Sequence, residues 1–251
     1  MRSVPMSNWV AAQRDDAACR LRLFCIPYAG AGGYSVFKRW IELAPPEIDV
    51  CPIELPGRWP RRAEAPFKRM ADLIEALVDG IGPLLSHRFA LFGYSLGGLV
   101  AFELARRWRE IAGVEPCRLF VAARSAPQCP RATPTPDPNL PTDALVGEIE
   151  RCYGGLPPVV RSDPVLVEIF IDMLRADLEI LRGYRYTQGD ALSCPIHAYG
   201  GENDRLTPMS GLEAWREHTA GHFEVRVFAG HHFFIQSQEE AVIGEVMKKL
   251  M

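Results

Sequence analysis

The stretch F-A-L-F-G-Y-S-L-G-G-L-V-A-F-E-L-A-R-R-W, residues 89–108, decides the fold class. Its first four residues form an apolar run typical of a buried strand, and residues 96–108 predict a helix. Between them, G-Y-S-L-G at 93–97 matches G-x-S-x-G, a sharp strand-to-helix turn that exposes a serine beside its base. Gly93 and Gly97 remove side chains that would collide as the chain reverses. We therefore predict that Ser95 is a nucleophile at the end of a buried strand.

Apolar runs and helical spacings alternate on both sides of this stretch, which predicts a mostly parallel central sheet with helices on both faces. Strands are predicted at 21–26, 48–55, 89–92, 119–123, 196–199 and 223–228. Helices are predicted at 35–43, 70–85, 96–108, 142–152, 163–183, 210–219 and 238–250.

One region interrupts the alternation. Residues 127–141 contain six prolines, which cannot continue a helix or a central strand, and two helical segments follow before the next strand. Ligand crevices lie at the carboxyl ends of parallel strands, so we interpret residues 127–190 as a helical lid insertion rather than a surface excursion. Residues 1–20 are polar and irregular and predict a flexible leader before a domain at 21–251.

Composition excludes several classes of protein. The chain has 251 residues, of which 48% are hydrophobic, and a formal net charge of -3, which favours a globular domain without a nucleic-acid surface. Seven scattered cysteines contain no C-x-x-C pair, so neither a zinc site nor a disulfide scaffold is expected. No apolar run approaches the roughly 18 residues of a membrane span. We expect a cytoplasmic monomer that needs no metal or other cofactor.

A nucleophilic serine requires a histidine, and the histidine requires an orienting carboxylate, in the chain order Ser, Asp or Glu, His. Asp204 follows the strand at 196–199 directly; Glu202 is a possible substitute, but the spacing favours Asp204. For the base, His231 and His232 follow the last strand. We predict His232, because the two phenylalanines after it can anchor the loop in the core and leave His231 in solvent.

An oxyanion hole requires two backbone N–H donors. The N–H of Leu96 follows the nucleophile, and we predict that Ala29 in the loop P-Y-A-G-A-G-G, residues 27–33, supplies the second. The glycines of this loop let its backbone pass close to a substrate. A phosphate-binding loop is the rival interpretation, but neither G-x-x-x-x-G-K nor G-x-G-x-x-G with its acidic partner is present.

Five motifs stand out along the chain: P-Y-A-G-A-G-G-Y-S-V-F-K-R-W at 27–40, L-P-G-R at 55–58, G-Y-S-L-G-G-L-V-A-F-E-L-A-R-R at 93–107, L-R-A-D-L at 174–178 and G-H-H-F-F at 230–234. Together they resemble the motifs of the type II thioesterases, which are free-standing α/β-hydrolases that work beside polyketide synthases and nonribosomal peptide synthetases. The resemblance spans residues 21–250 and keeps the family's motif order.

The resemblance implies the α/β-hydrolase fold, the catalytic triad Ser95, Asp204 and His232, and a helical lid. It also implies a thioester substrate on the phosphopantetheine arm of an acyl or peptidyl carrier protein, cleared as a wrong acyl group or released as a product. A general carboxylesterase or lipase, and a non-catalytic binding protein of the same fold, remain the alternatives.

A basic stretch between the second strand and the next helix predicts a docking surface, because carrier proteins are typically acidic. An ordinary solvated face is the competing interpretation. The stretch contains Arg58, Arg61, Arg62, Lys68 and Arg69.

Overall fold

A computed structural model describes residues 8–14, 18–85, 88–154, 156 and 158–251. Within these ranges, six strands form one sheet in the order β2-β1-β3-β4-β5-β6, and each neighbouring pair is parallel. The strands are β1 (Leu21–Ile26), β2 (Ile48–Pro52), β3 (Arg88–Tyr94), β4 (Leu119–Ala122), β5 (Ile196–Gly201) and β6 (Phe223–Phe228). The predicted parallel sheet is confirmed.

Helices connect these strands. They are α1 (Gly33–Leu43), α2 (Met70–Ile81), α3 (Leu96–Ala112), α4 (Thr142–Tyr153), α5 (Pro158–Arg161), α6 (Pro164–Gly183), α7 (Met209–Glu213), α8 (Phe234–Ser237) and α9 (Glu239–Leu250). Two short 3₁₀ helices cover Gly82–Leu84 and Ala214–His218.

Two hydrophobic clusters cover the two faces of the sheet. One contains side chains of α1 and α9, including Phe37, Trp40 and Val246. The other contains side chains of α2 and α3, including Leu77 and Leu104, and continues into α4 and α6. Both faces of the parallel sheet are therefore buried, which explains why its strands are continuous apolar runs instead of alternating ones.

Two predicted elements end earlier than their apolar patterns do. The second strand ends at Pro52 instead of residue 55. Ile53 still donates its N–H to the Cys25 carbonyl oxygen at 2.8 Å, but it then pairs with Val10 in an isolated antiparallel bridge. The helix predicted to reach residue 85 ends at Ile81, and the following Gly82-Pro83 pair continues only as a 3₁₀ turn. The helix predicted over 210–219 is a short α-helix followed by a 3₁₀ helix.

Part of the predicted leader contacts the domain. Val10 forms an antiparallel bridge with Ile53, just beyond the end of β2. The Trp9 ring stacks on Phe67 at 6.2 Å between centroids, and the guanidinium of Arg61 lies 4.1 Å from the centroid of the Trp9 ring. Residues 9 and 10 are thus held against the edge of the sheet.

The insertion between β4 and β5 begins with the proline-rich segment and contains α4, α5 and α6. Asp163 caps α6 by accepting a hydrogen bond from the Val165 N–H at 2.8 Å, and Pro164 occupies the first turn, where its missing N–H costs nothing. In the described part of the chain, no helix has the length and apolar character needed to cross a bilayer.

Candidate active site

Ser95 occupies the turn between β3 and α3 with a backbone φ of 53° and ψ of -109°. A positive φ is uncommon for a residue with a side chain and marks a turn whose surroundings enforce it. A Cβ on Gly93 would lie 2.1 Å from the Gly97 carbonyl oxygen, and one on Gly97 would lie 2.1 Å from the Ile26 carbonyl oxygen. The two glycines are therefore required by close backbone packing, as the sequence predicts.

Three side chains from separate loops meet at this turn. The distance from Ser95 Oγ to His232 Nε2 is 3.2 Å, and the distance from His232 Nδ1 to Asp204 Oδ2 is 2.9 Å. Asp204 lies in the loop after β5, and His232 lies in the loop after β6. The structure thus brings together the three residues that the sequence predicts for a triad.

Asp204 is held as a carboxylate. Its side chain is fully buried, and burial alone would raise its pKa. The hydrogen bond and charge of His232, together with bonds from the Leu206 N–H and the Thr207 side chain, outweigh burial and lower the pKa below its ordinary value. A buried anion at this position favours a proton on His232 Nδ1 and leaves Nε2 free to face Ser95.

The loop that carries His232 is anchored from both sides. Tyr94 donates its phenolic hydrogen to the His232 carbonyl oxygen, and Phe234 is fully buried and stacks on Phe228 at 5.4 Å between centroids. Phe233 is half-buried, packs against the same hydrophobic cluster as Phe234 and lies edge-on to the His232 ring. Both phenylalanines therefore anchor the loop as predicted, although only Phe234 is fully buried.

The two rejected alternatives lie apart from the triad. His231 is exposed, and its ring contacts the Asn203 carbonyl oxygen at 3.3 Å. Glu202 is also exposed, whereas Asp204 two residues later is buried. The strand end therefore presents only the second of these two carboxylates to the histidine.

The two predicted oxyanion donors lie at the ends of neighbouring strands. Leu96 is the first residue of α3, where helix N–H groups point toward the nucleophile, and Ala29 follows β1. Ala29 lines a cavity together with Ser95 and His232. Among the described residues, we find no hydrogen-bond acceptor for the Ala29 N–H.

The glycine-rich loop does not offer a phosphate site. The Glu54 carboxylate, which is 1% exposed, already accepts hydrogen bonds from the N–H groups of Gly33 at 3.0 Å and Tyr34 at 3.1 Å. The start of α1 is thus occupied by an internal anion, which argues against the rival phosphate-binding interpretation. Within the described ranges, no cluster of three histidine, cysteine or acidic side chains is arranged to hold a metal ion.

An apolar cavity of about 340 Å³ opens beside Ser95. Its walls come from the insertion, through α4 and α6, and from the loop after β1. The lining side chains include Tyr28, Ile149, Tyr153, Phe170, Leu174 and Leu178. Arg161 and Gln236 also line the cavity, so the surface next to the serine hydroxyl is mainly but not wholly hydrocarbon.

The sequence matches the model of the thioesterase domain family over residues 21–250. It is 40% identical over 245 residues to the gramicidin S biosynthesis protein GrsT of Aneurinibacillus migulanus, across 98% of this chain and 94% of that relative. It superposes on the solved type II thioesterase BorB from the borrelidin biosynthetic cluster with a TM-score of 0.87, 35% identity and coverage of 98% and 99% of the two chains. The chain belongs to the type II thioesterases.

Another solved relative has the same architecture. RedJ, a thioesterase from the prodiginine pathway in Streptomyces coelicolor, is 32% identical to this thioesterase across 92% of this chain and 87% of its own, with a TM-score of 0.83. The fold is accordingly the α/β-hydrolase fold, and this type II thioesterase is a hydrolase that acts on thioesters.

The thioesterase contains a buried ion pair whose role the sequence did not reveal. Arg58 and Asp177 are each 2% exposed, and Arg58 Nη2 donates to Asp177 Oδ2. The same carboxylate oxygen accepts the Gly30 N–H at 2.7 Å, and Arg58 Nε donates to the Ala31 carbonyl oxygen at 2.8 Å. This pair joins α6 to the loop that carries Ala29. Its only signal in the sequence was that L-P-G-R and L-R-A-D-L both matched family motifs.

The predicted docking stretch is corrected by this arrangement. Arg58 is buried on Asp177, and Arg61, which is 9% exposed, pairs with Glu64. Two of its five basic side chains are thus buried and paired: Arg58 with the buried Asp177, and Arg61 with the exposed Glu64. Arg62 stays exposed.

Proposed function

We propose that this thioesterase hydrolyses acyl groups from the phosphopantetheine arm of carrier proteins through an acyl-serine intermediate on Ser95. The observation that carries the proposal is the continuous contact from Ser95 Oγ through His232 to Asp204, at 3.2 and 2.9 Å. The apolar cavity beside Ser95 supports the proposal, because it can hold the acyl group of the substrate.

In the first half of the reaction, His232 Nε2 takes the proton of Ser95 as the hydroxyl oxygen attacks the thioester carbonyl carbon. Asp204 keeps the imidazole oriented and stabilises its positive charge. The N–H groups of Ala29 and Leu96 donate to the oxyanion, and each donor of this kind contributes about 3 kcal/mol in comparable hydrolases. Collapse of the tetrahedral intermediate breaks the carbon–sulfur bond. His232 gives its proton to the departing sulfur, so that the pantetheine leaves as a thiol and the imidazole is neutral again.

In the second half, a water molecule enters, and His232 removes one of its protons as the oxygen attacks the acyl-serine. The same oxyanion donors stabilise the second intermediate. Its collapse returns the proton to Ser95 Oγ and releases a carboxylic acid. The net reaction consumes one water molecule and uses only side chains and backbone groups of this chain.

The relatives favour carrier-bound substrates. One takes part in gramicidin S biosynthesis and another belongs to the borrelidin cluster. In such a pathway, a free-standing thioesterase would clear wrong or stalled acyl groups and return the carrier to use. The insertion that contains α4 and α6 would act as the lid over the acyl group.

The test compares Ser95→Ala with Ser210→Ala, a matched change at an exposed serine on α7. A panel of acylated carrier proteins is incubated with each variant, and loss of the acyl group is followed by mass spectrometry. We expect no enzymatic hydrolysis by Ser95→Ala and wild-type rates for Ser210→Ala. Undiminished turnover by Ser95→Ala would refute the assignment.

Two further measurements separate the alternatives. A general carboxylesterase would hydrolyse simple esters of the same acyl groups as fast as the carrier-bound thioesters. A non-catalytic protein of this fold would not be labelled at Ser95 by a fluorophosphonate, whereas we expect labelling that Ser95→Ala abolishes.

A further inference from the structure

A second cavity beside Ser95 differs in character from the apolar one. It is small, about 60 Å³, and Ser95 and His232 line it together with Arg124, Arg131 and Thr207. Its lining contains two arginines and no aspartate or glutamate. Through Arg131, it adjoins an outer cavity of about 560 Å³ that Arg185 also lines. We call these two adjoining cavities the arginine cleft.

Arg124 is the inner cation of the cleft. It follows β4 and Ala123, whose φ of 51° is a second unusual backbone angle beside the serine. The buried Nε of Arg124 has no hydrogen-bond partner, and its guanidinium forms no ion pair with any described residue. Burial, and then the positive charge of Arg131, lower the pKa of Arg124 to about 10, so the group stays cationic at neutral pH. A desolvated, unpaired cation is costly unless a ligand supplies the acceptor.

The outer cations continue the same pattern. Arg131 donates to Thr135 and to the Leu181 carbonyl oxygen, and the exposed Arg185 donates to the carbonyl oxygens of Arg182 at 2.7 Å and Tyr184 at 2.9 Å. These acceptors are all neutral, and neither arginine pairs with a carboxylate in the described part of the chain.

Other arginines of the outer cavity differ, since Arg182 pairs with Asp137 at 2.9 Å and Arg151 pairs with Glu148 at 2.5 Å. The three arginines without a carboxylate therefore form a separate set that runs from the serine to the surface.

The two sides of Ser95 match the two ends of a thioester. The apolar cavity suits a hydrocarbon acyl chain, and the arginine cleft suits a chain of amide oxygens that ends in a phosphate. We propose that the cleft receives the phosphopantetheine arm, with Arg124 donating to an amide oxygen near the thioester and Arg131 and Arg185 donating to the phosphate. This assignment rests on the proposed function and adds where the leaving group, the thiol of the phosphopantetheine arm, is bound.

The arginine cleft would also provide a docking surface for an acidic carrier protein. Five arginines against two carboxylates line the cleft, so its surroundings are positive although the whole chain is slightly acidic. Such a local field steers an acidic partner and its phosphate toward the cleft. It replaces the stretch at 58–69 as the surface we expect a carrier to contact.

The test uses two soluble substrates with the same acyl group, an acyl-phosphopantetheine and the acyl-pantetheine that lacks the phosphate. Arg185→Gln is compared with Arg62→Gln, because both arginines are exposed and neither pairs with a carboxylate in the described chain. Loss of one charge-assisted contact raises KM about tenfold. We expect that rise for Arg185→Gln on the phosphorylated substrate only, with kcat unchanged because the contact is remote from the reacting bond.

The assignment would be overturned if Arg185→Gln changed KM equally for the two substrates, or if it changed KM for neither. An equal rise in KM for Arg62→Gln would also overturn it. The proposed function fails separately, if the wild-type protein hydrolyses no carrier-bound thioester. If the wild-type protein hydrolyses both substrates and the variants have the wild-type KM, the assignment of the cleft is rejected and the proposed function is retained.

Discussion

The buried pair between Arg58 and Asp177 gives a quantitative prediction through Asp177→Asn. The substitution keeps the shape of the side chain but removes its charge, so the guanidinium of Arg58 stays buried at 2% exposure without its counter-ion. Breaking a buried pair in this way costs about 3–5 kcal/mol, and the remaining amide oxygen places this case near 3 kcal/mol. For a chain of this size, that loss lowers Tm by about 6–12 °C.

Activity should fall as well, for a separate reason. Asp177 Oδ2 also accepts the Gly30 N–H at 2.7 Å, one residue after the predicted oxyanion donor Ala29. Loss of one oxyanion donor costs about 10²–10³ in kcat, and a displaced donor costs part of that. We expect kcat to fall at least about tenfold at a temperature where Asp177→Asn is fully folded, with a smaller change in KM.

Differential scanning calorimetry and steady-state hydrolysis of an acyl-pantetheine measure the two effects. Glu179→Gln is the matched control, because Glu179 lies on the same helix and pairs with Lys68 on the surface at 35% and 61% exposure. An exposed pair of this kind contributes less than about 1 kcal/mol. Unfolding of Asp177→Asn within 1 kcal/mol of the control would refute the energetic reasoning.

A double variant separates stability from positioning. Replacing both partners with apolar side chains, Arg58→Met with Asp177→Leu, removes the unpaired charge and should restore much of the stability. It cannot restore the hydrogen bond to Gly30, so kcat should stay low. Recovery of kcat together with Tm would show that the pair supports the fold alone.

Three further predictions concern other parts of the site. Gly93→Ala should prevent folding or destabilise the protein by more than about 3 kcal/mol, since its Cβ would lie 2.1 Å from a backbone oxygen, whereas Gly147→Ala in the open middle of α4 should gain about 0.5–1 kcal/mol; chemical denaturation measures both. Leu174→Phe narrows the apolar cavity, and each acyl methylene it excludes should lower kcat/KM about fourfold, measured across a chain-length series; a uniform loss at every length would contradict this. The pKa of Asp204 is lower in the folded protein than its value of about 4 in the unfolded chain, so its ionised carboxylate stabilises the fold above about pH 4. This stabilisation is lost as the pH falls through the lower, folded-state pKa. The difference in unfolding free energy between wild type and Asp204→Asn should therefore shrink from about pH 6 to about pH 3 in urea titrations.

The residues that could be predicted from the sequence are those whose chemistry depends on local order. Ser95 is recognisable because the turn between strand and helix requires glycines at fixed spacings around it. Asp204 is recognisable because a carboxylate directly after a buried strand has few other roles. His232 could be chosen over His231 because the apolar residue two positions later, Phe234, must enter the core.

Long-range partners could not be predicted in the same way. Arg58 belongs to a basic stretch in the sequence, and only folding reveals that Asp177, 119 residues away, neutralises it. The predicted docking stretch counted charges without their partners, so it included Arg58 and Arg61, which are buried and paired. Arg124 gave no signal either, because a single arginine after a strand says nothing about whether a carboxylate will face it.

Tyr153 and Leu181 border the apolar cavity and the arginine cleft alike, whereas Leu174 touches only the first and Arg131 only the second. In the proposed assignment, a side chain at a shared wall faces both the acyl group and the phosphopantetheine arm, so a substitution there would affect the binding of both. Positions that face only the apolar cavity can vary without affecting the arginine cleft. We therefore expect homologues with different acyl preferences to differ at those positions and to keep the residues that bind the phosphopantetheine arm.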